Sequence, residues 1–269
     1  MNNLQPLILI GLSAFILYGC AGGGATLVRS ENQAKAATQL ERGIRAHGKG
    51  EIEQAEKYLT DSLKISSSIE DNQARVSALI NLARMNRLNQ KNEAAVLLID
   101  QALKLASGFS DVMAEAAYEK ALIGLAQNRY EEALTWATTS LSFENGEAKG
   151  KRLNLLARIY RAAGNRSEAT TFAGRARDEN RRSGQADEES NSLRLLGSIE
   201  RENRHFGEAA KLLQESLAID KLIGESSKIA LDLEELAALS GDQGDLDLMI
   251  EYLERAYSCL LYTSPSPRD

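Results

Sequence analysis

Small apolar residues return along this chain at intervals of 36 to 40 residues, and that period decides what it can fold into. Aligning them divides the sequence into six units that start near Ala36, Val76, Ala114, Gly150, Ser190 and Ala230. In the fourth unit Leu153, Leu156, Ala157 and Tyr160 fall at i, i+3, i+4 and i+7, which is one face of a helix. Ala163-Gly164-Asn165-Arg166 follows as a turn, where glycine supplies the left-handed conformation that ends a helix. Asn165 or Ser167 can start a second helix, whose inner face is Ala169, Ala173 and Ala176. The offsets recur. Gly43, Ala83, Ala121, Ala157, Gly197 and Ala237 mark the first helix, and Ala55, Ala95, Ala133, Ala169 and Ala209 open the second. Turn markers stand at Gly50, Gln90, Asn128, Gly164, Arg204 and Gly244. All three prolines, Pro6, Pro265 and Pro267, lie outside the units. Such a stretch without proline predicts helix after helix, because proline breaks helix interiors.

The pattern over about Ala36 to Ser258 resembles the tetratricopeptide repeat. The resemblance implies an all-α solenoid of about six helix pairs wound into a right-handed superhelix. The units are longer than the usual ~34 residues. The proline that commonly ends each unit is absent, and Met249 stands where the second helix of unit six should open with alanine.

Both chain ends differ from the repeats. Leu7 to Leu17 is an apolar run too short to span a bilayer as a mature helix, and it suits a secretory signal. It closes on Leu17-Tyr18-Gly19-Cys20, which resembles the lipobox of bacterial lipoproteins. The resemblance implies that residues 1–19 are removed and that Cys20 is lipidated. Ala21 after the cysteine, where no aspartate stands, implies outer-membrane sorting. Residues 20–33, with Gly22, Gly23 and Gly24, read as a flexible tether ahead of a repeat domain over 34–258. Residues 259–269, from Cys259 to Asp269, match the translation of a transposon-end sequencing adapter and are expected to be foreign. With Cys259 set aside, Cys20 is the only cysteine, so the body has no disulfide and no thiol ligand.

The net charge is -6, with no basic tract, which argues against nucleic acid as a partner. His47 and His205 lie in different repeats and hold no metal-ligand spacing. Glu131-Glu132, Glu188-Glu189 and Glu234-Glu235 are sequence neighbours, and helical neighbours point about 100° apart, so they do not form acid/base pairs. Trp136 reads as packing. No catalytic residue, metal or cofactor is expected.

A solenoid's concave wall is lined mainly by its first helices. The stripe beside the packing face gives Ser77, Ile80, Arg84 and Arg87 in unit two, and Lys151, Asn154, Arg158 and Arg161 in unit four. In unit five it gives Asn191, Arg194, Ser198 and Arg201. Units one and three add Ala37, Leu40, Ile44 and His47, then Glu115, Tyr118, Leu122 and Leu125. The candidate groove is therefore Arg84, Arg87, Lys151, Asn154, Arg158, Arg161, Asn191, Arg194 and Arg201. Guanidinium forks suit carboxylates, so acidic proteins or peptides are the expected partners. The alternative for the same stripe is a solvated face paired with neighbouring glutamates. The expected function is a lipid-anchored scaffold for envelope assembly, in the periplasm. The alternative is the recognition arm of a longer enzyme or sensor.

Overall fold

The computed structural model describes residues 30–261, and among them every regular element is an α-helix. The expected signal, Cys20, most of its tether and residues 262–269 lie outside the described residues. Six antiparallel pairs follow one another: α1 (Glu31–Gly48) with α2 (Ile52–Ser68), α3 (Asn72–Leu88) with α4 (Asn92–Leu105), and α5 (Ser110–Ala126) with α6 (Tyr130–Phe143). Then come α7 (Lys149–Ala162) with α8 (Arg166–Arg182), α9 (Ala186–Glu202) with α10 (Phe206–Ile223), and α11 (Ser226–Gln243) with α12 (Leu246–Leu261). Each pair packs on the next, so among the described residues contacts run along the array and not across it.

All six expected turn markers occupy the left-handed region, with φ between 57° and 81°. The turns share one hydrogen-bond pattern. After α7, the amide of Asn165 donates to the carbonyl of Tyr160 at 2.9 Å, and that of Gly164 to Arg161 at 3.0 Å. Equivalent bonds run from Glu51 to Ala46, Lys91 to Asn86, Arg129 to Gly124, His205 to Glu200 and Asp245 to Ser240. This doubly bonded ending satisfies carbonyls that the helix leaves open. Asn165 also caps α8, its side chain accepting from the Glu168 amide at 3.2 Å. Ser167 lies one residue inside that helix.

The two ends of the repeat domain are longer than expected. Ser30 and Gln33 form a reciprocal capping box, so α1 begins at Glu31, and residues 31–33 form its first turn instead of tether. At the other end α12 runs through Cys259 to Leu261, three residues into the adapter-like tail. Cys259 and the two leucines lack any helix breaker, and the first proline comes only at Pro265.

The small residues do the packing work that their spacing implied. Ala55, Ala95, Ala133, Ala169 and Ala209 are completely buried, as are Ala83, Ala121 and Ala157 opposite them. Where the first helix carries glycine, the second fills the gap with leucine. A Cβ added at Gly43 would lie 2.6 Å from Leu59, and one at Gly197 would lie 2.6 Å from Leu213. Odd-numbered units add a buried bond between the far ends of the pair. The hydroxyls of Ser62, Ser140 and Ser216 donate to the carbonyls of Ala36, Ala114 and Ser190 at 2.8, 2.7 and 3.0 Å. Second helices bury one narrow stripe, such as Ala55, Leu59, Ser62 and Ser66. First helices α5, α7 and α9 are buried over most of their girth, because they touch their own partner and both neighbouring units. The outer face of α12 keeps Leu246, Ile250, Leu253 and Tyr257 exposed, with no further helix over it among the described residues.

Candidate functional site

Four first helices, α5, α7, α9 and α11, wall a hollow of about 390 Å³. Tyr118, Leu155, Leu195 and Leu231 supply its apolar surface. Lys151, Asn154, Arg158, Arg161, Asn191 and Arg194 supply its polar surface, so six of the nine expected groove residues meet there. Arg201 lies in an adjoining hollow that shares Arg194, Leu231 and Glu235. Arg84 and Arg87 sit on α3, one unit before the first wall helix, and line neither.

The arginines are held mostly by carboxylates one unit further along. Arg84 Nε and Arg87 Nε donate to the two oxygens of the fully buried Glu119, at 3.2 and 2.6 Å. Arg161 Nη2 donates to Glu202 at 2.6 Å. Arg201 Nη1 donates to Asp242 at 2.7 Å. Arg194 bridges two buried acids, reaching Asp220 Oδ2 at 2.5 Å and Asp232 Oδ1 at 2.6 Å. Burial, reinforced by the neighbouring Asp220 charge, pushes the Asp232 carboxyl up to about 6, although Arg194 and the Ser216 hydroxyl pull against it. These arginines tie unit to unit, each with its charge paired to at least one carboxylate.

Arg158 differs. It is exposed, and among the described residues it has no hydrogen bond or ion pair. Lys151 also lacks a carboxylate within ion-pair distance, its ammonium resting 4.8 Å from the centre of the Tyr118 ring. On the other side of this wall Arg152, fully buried, is bound by Glu115 and by Glu144 at 3.1 Å. Burial opposes ionisation of Glu115, but Arg152, with help from Lys151 and Arg84, holds its carboxyl below the usual range. Burial pushes the Tyr118 phenol up to about 12, so it stays a neutral donor throughout the working range.

Two acidic wall residues, Glu188 and Glu235, have no counterpart in the sequence-based stripe. Glu188 accepts from Asn154 at 3.4 Å and from Asn191 at 3.3 Å. A signal for the pairing was present. Arg84 precedes Glu119 by 35 residues, Arg194 precedes Asp232 by 38, and Arg161 and Arg201 precede Glu202 and Asp242 by 41 each. Those separations are about one repeat. His205 is exposed at the start of α10 against Glu200, and no group of metal-holding residues occurs among the described residues.

No family model matches the chain, and no curated protein matches it in sequence. Solved structures do match in shape. The apo form of RapI aligns with a TM-score of 0.70 at 15% identity, over 87% of this chain and 86% of its own. PilW, described as a widely conserved type IV pilus biogenesis factor, aligns with a TM-score of 0.63 at 14% identity, over 85% and 95%. A Podosopora anserina kinesin light chain with TPR-like repeats gives 0.55 at 20% identity, over 71% and 98%. The chain has the fold of an all-α, TPR-like solenoid.

Proposed function

We propose that this chain is a lipid-anchored scaffold of the bacterial envelope, holding partner proteins or peptides along the inner wall of its solenoid and performing no chemistry itself. The observation that carries the binding role is the hollow on α5, α7, α9 and α11. It is open and mixed in polarity, and it is lined by side chains that packing does not require, Arg158 and Lys151. The envelope placement rests on Leu17-Tyr18-Gly19-Cys20 and on Ala21, with the lipid at Cys20. PilW, of similar fold, is a pilus biogenesis factor, and a Rap protein of similar fold is described in complex with Competence and Sporulation Factor. The first supports an assembly role, within pilus, outer-membrane or cell-wall machinery, and the second a recognition role.

The anchor and the scaffold are tested separately. Radiolabelled palmitate is expected to enter the protein and to be lost from Cys20→Ala; labelling that survives in the variant rejects the anchor. A photo-crosslinking residue placed at Leu231 in the hollow is expected to capture a discrete partner in cells. Equal capture from the convex α10 position Lys211 would reject the groove.

A further inference from the structure

Charge is distributed unevenly along the array. The last helix pair, α11 and α12, carries eight acids against two bases, Lys228 and Arg255, a net charge of -6. That equals the net charge of the whole chain, so the remainder balances. The same pair carries the apolar stripe that no further helix covers among the described residues. Leu246, Ile250, Leu253 and Tyr257 follow one another at 4, 3 and 4 residues, which keeps them on one helix face about 17 Å long. In α10, forty residues earlier, the equivalent positions are Phe206, Ala210, Leu213 and Leu217. There the stripe shares one apolar cluster with Leu233 and Leu236 of α11, and Leu213 and Leu217 are 0% and 7% exposed. Their counterparts Leu253 and Tyr257 are 45% and 63% exposed. The face of α12 is therefore a stacking surface, and what such a surface receives elsewhere in this array is an amphipathic helix.

The rim selects which helix. Asp247 and Glu254 each follow a stripe leucine by one residue. They lie on the side away from α11, which is met by Met249, Tyr252 and Ala256. The equivalent positions in α10 are the uncharged Gly207 and Gln214. Both acids are exposed, and neither has an ion pair among the described residues. A second copy seated here would set acid against acid, because a two-fold contact matches a patch with itself. An anionic membrane surface would be repelled in the same way.

We infer that the exposed face of α12 is a docking site for a cationic amphipathic helix of another polypeptide, which lies on α12 as α11 lies on α10. Apolar residues of that helix cover the stripe, and Lys or Arg along its edge pairs with Asp247 and Glu254. The site is separate from the inner wall, so its failure would leave the groove standing.

The probe is a fluorescein-labelled synthetic helix of roughly 18 residues, with leucines at the same spacing and lysines at the positions flanking them. Its twin carries glutamates in place of the lysines. Fluorescence anisotropy on the whole chain is expected to show the lysine helix binding about tenfold more tightly than the twin. Ile250→Glu makes the face more acidic while breaking the stripe. It is expected to weaken the lysine helix about tenfold, the loss of one covered aliphatic side chain. Attraction by net charge alone would hold or tighten binding to that variant and overturn the site. Asp247→Lys with Glu254→Lys is expected to turn the preference toward the glutamate twin, and an unchanged preference would overturn the proposal. All three positions are exposed, so each variant is expected to melt close to the parent. Binding by neither helix would also overturn it. So would a dimer of the chain alone that Ile250→Glu dissolves, since that gives the face to a second copy.

Discussion

Arg194 shows how much a single side chain carries in this array. It is the only cation among the described residues that bridges Asp220 and Asp232, both fully buried. Removing one member of a buried ion group strands the others without water or counter-charge, which typically costs about 3–5 kcal/mol. Arg194→Ala should therefore lower the urea midpoint far more than Arg158→Ala, whose guanidinium is exposed and unpaired. The same group sets a pH response. Asp232 titrates near 6 in the fold against roughly 3.9 in an unfolded chain, so the folded state binds its proton more tightly. The stabilisation from that proton is complete below the unfolded value and is lost as pH rises through 6. Asp232→Asn is expected to gain on the parent in urea midpoint between about pH 4 and about pH 6.5, with a constant difference above that; a constant difference across the whole range would contradict the assignment. At this scale the sequence was only half legible. Side-chain type and helical stripe placed Lys151, Asn154, Arg158, Arg161, Asn191 and Arg194 on one wall. They could not show which arginines were already occupied, because that depends on acids a whole repeat away.

Among the elements, the hairpin turn was the most legible feature. Its left-handed residue recurs at fixed offset, and only the small residues around it needed aligning. Three of the six positions carry Gln90, Asn128 and Arg204 instead of glycine, at φ of 59°, 57° and 63°. A Cβ in that conformation costs about 1 kcal/mol. Gln90→Gly and Arg204→Gly, both at exposed positions, are expected to raise the melting temperature. Asn128→Gly should do less, since asparagine tolerates this region. The opposite sign holds at Gly197. Alanine there would press on Leu213 at 2.6 Å, and the helix pair must open or Leu213 must leave its rotamer, at about 1–3 kcal/mol. Gly174, which has nothing near its Cβ, is the matched control and should gain from alanine. Element ends were less legible. The capping box at Ser30 and the continuation of α12 to Leu261 both depend on local geometry that lies outside the repeat's period.

Over the whole molecule, stability is distributed by junction, because each unit touches only its neighbours. From the second unit onward the first helices are bolted across every junction: Arg84 and Arg87 to Glu119, Arg152 to Glu115, Arg161 to Glu202, and Arg194 and Arg201 to Asp232 and Asp242. Between the first and second units no ion pair occurs among the described residues, and the polar link is Gln33 Nε2 to Asp71 Oδ2 at 3.3 Å. Hydrogen exchange should reach the amides of α1 and α2 before those of α7 to α10. Uniform protection along the array would show that the ion pairs do not set the order. The solenoid itself was legible because its period is written six times. The unequal charge pairing of its joints was not, since a joint is made of residues from two units that need only complement one another.

That first junction has a mechanical consequence. Among the described residues, a load applied at the N-terminal end enters the array through the one joint without an ion pair. Load passing from the first helix pair to units two to six would be carried by the apolar cluster that spans the junction. The strength of that link would then rest on apolar packing such as Leu59 against Leu82 and Met85, and would not fall when salt screens the charges.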